Sequence, residues 1–336
     1  MGKILRQTTV VRDGWHNGFT DLVYWKGAYW VSYRRGTAHA SQDGEAVLAV
    51  SLDRQRFRET AHLKVPGDNR DPKLVPMGDR LGMIFPSWHE KYEGGCLQQY
   101  VAFSDEGFTW SQPVPILDRA DWLWRVREHN GLYYGLIEQI RTGLTPPYQL
   151  KLVTSKDLLH WTPLCTVGPD LPLNESDILF RPDGEAWIVA RGAGNPDYSW
   201  FASARAPYTD WTLTNLGVVI HCPAILAVKD SVFVTGRRKP DLEGETTFYA
   251  GTGSLGVWEL GRGTVKPVLH IPASGDCAYP GLIEDPEGRI CLSYYSAHAY
   301  NMGVLDAVFR YIPSDPWTKA DRLMPSDVYF AELSLP

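Results

Sequence analysis

The chain has 336 residues, 44% hydrophobic and 12% aromatic, with 13 Trp and 17 Tyr, enough for a large core and suited to sheets. A formal net charge of −6 with dispersed Lys and Arg argues against nucleic acid, whose phosphates need concentrated cations. Nothing approaches the roughly 18 apolar residues of a membrane span, and Met1 to Trp15 holds no apolar signal core, so the expectation is a soluble cytoplasmic chain.

Reading along the chain, one three-part signal recurs six times at intervals of about 50 residues: a polar anchor ahead of an apolar run, a turn, and a closing aromatic. The first copy starts at Asp21, turns at Lys26-Gly27 between Leu22-Val-Tyr-Trp and Ala28-Tyr-Trp-Val-Ser-Tyr, and closes at Phe57. The second runs from Asp71 through Gly78-Asp79 to Trp110, and the third from Arg125 through Asn130-Gly131 to Trp161. Copies four to six pair Glu175, Asp183-Gly184 and Trp211; His221, Lys229-Asp230 and Trp258; Tyr279, Glu287-Gly288 and Trp317. Apolar runs around such turns are hairpins. Several strands per 40 to 50 residues is the spacing of a propeller blade. The reading is all-β: a six-bladed β-propeller forming one domain over residues 1–336. The weak fifth copy leaves a five-bladed ring as the alternative.

Five cysteines (Cys96, Cys165, Cys222, Cys277, Cys291) without CxxC spacing suggest reduced thiols, and nine histidines show no HExxH pattern. No metal or other cofactor is expected. At the blade ends, Ser51-x-Asp53-x-x-x-Phe57, Asp105-Glu-Gly107-Phe-Thr-Trp110 and Ser155-Lys-Asp157-Leu-Leu-His-Trp161 read as turns closed by side-chain bonds to backbone, a structural role.

In a propeller the start of each first strand and the end of each second strand share one rim. The second-strand ends read Tyr33-Arg34-Arg35, Trp88-His89-Glu90, Glu138-Gln139, Arg191-Gly192, Arg237-Arg238 and Tyr294-Tyr-Ser-Ala-His298. With the anchors they form a polar funnel, where sites usually sit. Arg34, Arg70, Arg125, Arg191 and Arg237 would bind a carboxylate or sulfate through planar forks; the other reading pairs some with Asp71, Glu138 or Glu175 between blades. Cleaving a glycosidic bond needs an acid and a base or nucleophile. Asp71 and Glu175 lead, with Asp21, Glu138 and Asp276 behind them. His39 and His298 orient hydroxyls, act as acid, or are simply satisfied in the core.

The combination of His16-Asn-Gly-Phe-Thr-Asp21, Tyr33-Arg34-x-Gly36-x-x-His39, Arg70-Asp-Pro-Lys-Leu, Trp122-Leu-Trp-Arg125, Asn174-Glu175, Pro207-Tyr-x-x-Trp211, Ser274-Gly-Asp-x-x-Tyr279-Pro-Gly and Ser293-Tyr-Tyr-Ser-x-His298 resembles a bacterial sialidase-like (exo-α-sialidase) group. That group falls in the sialidase superfamily of Asp-box β-propellers. The resemblance places Tyr279 where sialidases carry a nucleophilic Tyr, and a phenol needs a neighbouring carboxylate to take its proton. Glu175 fills that part if the ring brings the two together. The nearest match to the family's Phe-Arg-Ile-Pro motif is Tyr33-Arg34-Arg35-Gly36; Asp43 and Asp71 compete for the acid, and Ala299 follows His298 where Glu is common.

The expected function is an exo-acting glycoside hydrolase on a small anionic glycan, sialic-acid-like or uronate-like. Asp71, Glu175 and Tyr279 are its catalytic candidates. Its substrate-binding candidates are Arg34, His39, Arg70, Arg125, Glu138, Arg191, Arg237 and His298. The alternatives are a furanosidase-type inverting hydrolase using Asp21, Asp71 and a Glu, and a non-catalytic glycan-binding propeller.

Overall fold

The structure is a computed structural model and describes residues 1–89, 97–194, 196–239, 254–273, 276–300 and 324–336. Glu90, Cys96, Ser274, Gly275 and Trp317 of the sequence reading lie outside those residues. All regular structure among the described residues is β-strand, arranged as a six-bladed propeller.

Strand β1 (Lys3–Val11) belongs to the last blade. The first blade is β2 (His16–Trp25), β3 (Ala28–Gly36), β4 (Glu45–Ser51) and β5 (Arg58–Leu63). In the second, β6 (Asp68–Asn69) and β7 (Lys73–Met77) both pair with β8 (Arg80–Trp88), followed by β9 (Leu97–Ser104) and β10 (Val114–Ile116). The third is β11 (Asp121–His129), β12 (Leu132–Ile140), β13 (Tyr148–Ser155) and β14 (Trp161–Val167). The fourth is β15 (Leu173–Phe180), β16 (Glu185–Gly192), β17 (Trp200–Arg205) and β18 (Thr212–Asn215). The fifth copy, weakest in sequence, is a full blade of β19 (His221–Val228), β20 (Ser231–Arg238), β21 (Ser254–Gly261) and β22 (Thr264–Ile271). That removes the five-bladed alternative.

The sixth blade takes β23 (Cys277–Glu284), β24 (Ile290–Ser296) and β25 (Asp327–Ser334) from one end of the chain and β1 from the other. Strand β1 runs antiparallel to β25, with Lys3 opposite Ser334 and Thr8 opposite Phe330. Closure by the first strand hides an edge that would otherwise be open to pairing.

Strand composition follows position in the blade. The inner β3 is buried over its first seven residues, Ala28 to Arg34, because blades pack against both its faces. The outer β1 alternates exposed and half-buried residues, as a strand with one wet face does. Each fully buried side chain such as Val31 or Phe85 contributes about 1.5–3 kcal/mol. The hairpin turns use left-handed pairs, Lys26 (φ 48°) with Gly27 (φ 76°) and Asn130 (φ 53°) with Gly131 (φ 76°), as tight turns between twisted strands require. At blade ends Asp53 Oδ1 accepts from the Gln55 and Arg56 amides, and Asp157 Oδ1 from those of Leu159 and His160. In the second blade Ser104 and Glu106, rather than Asp105, make the equivalent bonds.

Candidate active site

Every innermost strand breaks register near the rim. The ladder skips from Gly18 to Asp21, Leu123 to Val126, Leu173 to Ser176, His221 to Ala224 and Ala278 to Gly281. In the second blade the gap between β6 and β7 does the same job. Such bulges re-aim side chains. The looped-out pairs are Phe19-Thr20, Asp71-Pro72, Trp124-Arg125, Asn174-Glu175, Cys222-Pro223 and Tyr279-Pro280. Phe19 (φ 57°), Asp71 (φ 41°), Cys222 (φ 47°) and Tyr279 (φ 43°) all take the left-handed conformation, a strained state for bulky residues. The six-fold equivalence therefore differs from the sequence alignment. Phe19, Trp124, Asn174 and Cys222, not Asp21, Arg125, Glu175 and His221, share the register of Asp71 and Tyr279.

At the centre, the Tyr279 hydroxyl donates to Glu175 Oε1 at 2.6 Å, and Arg191 Nη1 reaches the same oxygen at 3.0 Å. The Cys222 amide donates to Glu175 Oε2 at 2.7 Å, while the Tyr279 amide donates to Cys222 Sγ at 3.2 Å. Burial opposes ionisation of Glu175, yet the cations Arg191 and Arg237 and the nearby His221 outweigh it and bring its pKa to about 2. Burial raises the Tyr279 phenol well above its ordinary value, reinforced by the charges of Glu175 and Asp71. The pair is thus a neutral phenol donating to a fixed carboxylate. Arg237 lies 5.9 Å from the Tyr279 ring centre and 3.9 Å from Asp276 Oδ1.

Beside it, Asp276 collects His16 Nε2 at 2.8 Å, His39 Nδ1, and the Tyr295 hydroxyl at 2.8 Å. His16, His39 and Asp276 offer three ligand atoms within 4.8 Å of one another, but their chemistry suits hydrogen bonding better than a metal. Arg70 Nη2 stands 3.2 Å from His39 Nε2. A guanidinium only donates, so Nε2 must accept, Nδ1 carries the proton, and Nδ1 has no lone pair for a cation. Phe19 fills the space between, with ring centres 4.9 Å from Tyr279 and 5.1 Å from His39 and the Arg70 guanidinium 4.6 Å above it.

The third wall is aromatic. Trp122 and Trp124 stack at 4.9 Å and 9°, and Trp124 lies 6.2 Å from Tyr279. Trp124 Nε1 donates to Glu138 Oε2 at 2.9 Å. Burial pushes the Glu138 carboxyl up to about 8, with the charges of Glu175 and Asp71 adding to it against Trp124 and Arg191. Burial likewise lifts Asp71 to about 6, against Lys73 and Arg70.

Seven buried polar atoms around this funnel have no hydrogen-bond partner among the described residues: His16 Nδ1, Arg70 Nε, Asp71 Oδ1, Trp122 Nε1, Asn174 Oδ1, Arg191 Nε and Arg237 Nε. Buried polar atoms are normally paired, so their clustering is a place for a polar ligand.

Three of the sequence candidates lie elsewhere. Arg34 is fully buried and bonds Asp68, Ala38 O and Ser41, fixing the loop that carries His39. Arg125 bonds Asp21 Oδ1 at 2.7 Å, Pro223 O at 3.1 Å and Pro280 O, joining its own blade to three others inside the channel. His298 stacks on Tyr329 and bonds Ser296 Oγ. Asp21 also accepts the Leu74 amide, and Asp43 accepts the exposed Thr37 amide. Sequence reasoning missed Phe19, Trp122, Trp124 and Cys222. The only available signal was the Trp-x-Trp pair, whose spacing of two puts both rings on one face.

No family model matches the chain, and no curated protein matches it. Among solved structures, it covers 100% of its length against 99% of a protein of unknown function from Dyadobacter fermentans DSM 18053, with a TM-score of 0.76 and 16% identity. It is similar to the phage phi92 endosialidase at 11% identity and TM-score 0.68, over 98% of this chain and 69% of that one. A Trypanosoma rangeli sialidase in complex with 2,3-difluorosialic acid, a covalent intermediate, gives 11% and 0.62 over 94% of this chain. There the chain spans about 54% of its relative's length. At these identities the likeness shows the fold alone.

Proposed function

We propose that this protein is an exo-acting, retaining glycoside hydrolase for a small glycan bearing a carboxylate on or beside its anomeric carbon, with Tyr279 as nucleophile and Glu175 as its base. The buried Tyr279–Glu175 hydrogen bond, flanked by Arg191 and Arg237, carries this reading. A substrate carboxylate would repel a carboxylate nucleophile, whereas a neutral phenol meets no such penalty. Arg70, Arg191 and Arg237, each with a free Nε, supply planar donors for that carboxylate.

In the first step a bond forms between the Tyr279 oxygen and the anomeric carbon while the phenolic proton passes to Glu175. The bond to the leaving oxygen breaks as that oxygen takes a proton from a rim acid. In the second step water attacks the same carbon and gives its proton to that rim residue as the bond from the carbon to the Tyr279 oxygen breaks, and the released oxygen takes back its proton from Glu175. Asp71 and Glu138 are the rim carboxyls whose pKa burial raises, Glu138 the further of the two. The sialidase neighbours, one of them a covalent intermediate, support the same chemistry. The inverting alternative loses support because Asp21 is committed to Arg125 and the Leu74 amide.

Turnover of aryl sialosides, aryl uronides and neutral aryl glycosides by the wild type and Glu175→Gln tests the reading. The expected result is release from an acidic glycoside only, lost in the variant. Unchanged turnover in Glu175→Gln would remove Glu175 from the mechanism.

A further inference from the structure

We propose that Glu138 is the acid that protonates the leaving oxygen, at the end of a leaving-group subsite whose wall is the Trp122–Trp124 stack and which takes the apolar face of a neutral sugar ring. This rests on the hydrolase reading above.

Strand β11 enters the ring at its rim end with Asp121, and its register breaks at Trp124, beside Tyr279. Trp122 lies two residues closer to the mouth on the same face, and is less buried than Trp124. The stacked indoles therefore run from the nucleophile outward. In an exo-acting enzyme the anionic ring occupies the closed end, so the leaving group points along that outward path. Indole faces suit the C–H face of a neutral sugar, and the unpaired Trp122 Nε1 is a donor for one of its hydroxyls. Arg191 and Arg237 flank Glu175 and Tyr279 and Arg70 lies over Phe19; of the three only Arg191 also faces Glu138, so the cations gather at the end of the path away from Trp122.

Glu138 sits where that path meets the reacting centre. It faces Trp122 across the β11–β12 ladder, and Trp124 Nε1 holds its Oε2. Among the described residues no partner takes Oε1, which leaves the O–H free to reach a ligand. The charged groups facing it are Glu175, Asp71 and Arg191, and Asp121 is turned instead to Gln139 Nε2 at 3.1 Å. A carboxyl buried against Trp and next to carboxylates keeps its proton at neutral pH. Asp71 is the poorer donor: with Lys73 and Arg70 beside it, its carboxyl titrates near 6 and is largely ionised at pH 7. Its unpaired Oδ1 suits a substrate hydroxyl instead.

When the glycosidic bond breaks, the Glu138 proton moves to the leaving oxygen as the Tyr279 proton moves to Glu175. The resulting Glu138 carboxylate then takes the proton from the attacking water. The charges balance in both steps.

The test compares wild type, Glu138→Gln, Asp71→Asn and Trp122→Ala on 4-nitrophenyl and galactosyl glycosides of whichever acidic sugar wild type cleaves. A nitrophenolate leaves without a proton, whereas a sugar does not. Glu138→Gln is expected to lose roughly 10²–10⁴-fold more kcat/KM on the galactosyl than on the nitrophenyl substrate, and to lose the alkaline limb of the pH profile near 8. Trp122→Ala is expected to raise KM for the galactosyl substrate alone. Equal losses of Glu138→Gln on both substrates, or the leaving-group dependence appearing in Asp71→Asn instead, would overturn the assignment while the hydrolase reading stands. A wild type inactive on every acidic glycoside would overturn both.

Discussion

Tyr279 and Glu175 lie 104 residues apart in the chain, yet the phenol donates to the carboxylate across 2.6 Å. One comes from the sixth blade and the other from the fourth, each released from its ladder by a two-residue register break. The Cys222 amide and sulfur connect them through the intervening blade. A bulge that repeats as architecture thus supplies a pair that occurs once.

Replacing Tyr279 by Phe removes the attacking oxygen and one hydrogen bond. The expected loss in kcat is roughly 10³-fold or more. Stability is expected to change by only about 1 kcal/mol, because Arg191 and the Cys222 amide still hold Glu175. Kinetics and thermal melting on the same sample check both halves.

Arg125 is expected to act on stability rather than on substrate. Arg125→Ala removes the ion-pair partner of Asp21 and frees two carbonyls in a buried network, which is expected to cost about 3–5 kcal/mol. Denaturant unfolding measures the cost. The folded fraction is expected to keep the wild-type KM; a raised KM at unchanged stability would make Arg125 a substrate contact.

Arg237 is expected to behave in the opposite way. A charge-assisted hydrogen bond contributes about 1.5–3 kcal/mol, so Arg237→Met is expected to raise KM for a carboxylate substrate by roughly 10–150-fold. An analogue with the carboxylate reduced to an alcohol is expected to bind both proteins alike, as calorimetric titration would show.

The pH dependence of stability separates the carboxyls by sign. Glu138 is raised from 4.5 to about 8, so the folded state holds its proton more tightly than the unfolded state. Its contribution is complete below about pH 4.5 and is lost as pH rises through 8. Glu175 is lowered to about 2, so its contribution is present above about 4.5 and is lost as pH falls through 2. Glu138→Gln, which cannot ionise, is expected to gain melting temperature on wild type steadily between pH 5 and pH 8. A difference that stays constant over that range would show that Glu138 is not raised.

Much of the fold is legible in the sequence because hairpins are local: Lys26-Gly27 and Asn130-Gly131 mark their turns by composition alone. The capture of β1 by the last blade is not, since pairing Thr8 with Phe330 depends on closure of the whole ring. The polar cluster of the candidate site is legible at Asp71, Glu175, Tyr279, Arg191 and Arg237, which stand at strand ends and which the fold brings together. It is misread at Arg125, which loops out as Glu175 does but turns to Asp21 and two carbonyls in the channel. Side-chain direction at a bulge depends on backbone twist, which residue spacing does not encode. Phe19 and the Trp122–Trp124 stack escape notice for another reason: an aromatic residue in an aromatic-rich propeller looks like core.

The most direct measurement is to incubate the protein with a 2,3-difluorinated sialic acid, which traps a glycosyl-enzyme intermediate, and to map the adduct by peptide mass spectrometry. The expected result is one equivalent of covalent sugar on Tyr279, absent from Tyr279→Phe and slow to form in Glu175→Gln. An adduct on a carboxylate such as Asp71, or brisk hydrolysis of the parent sialoside with no adduct at all, would contradict the assignment of Tyr279 as nucleophile.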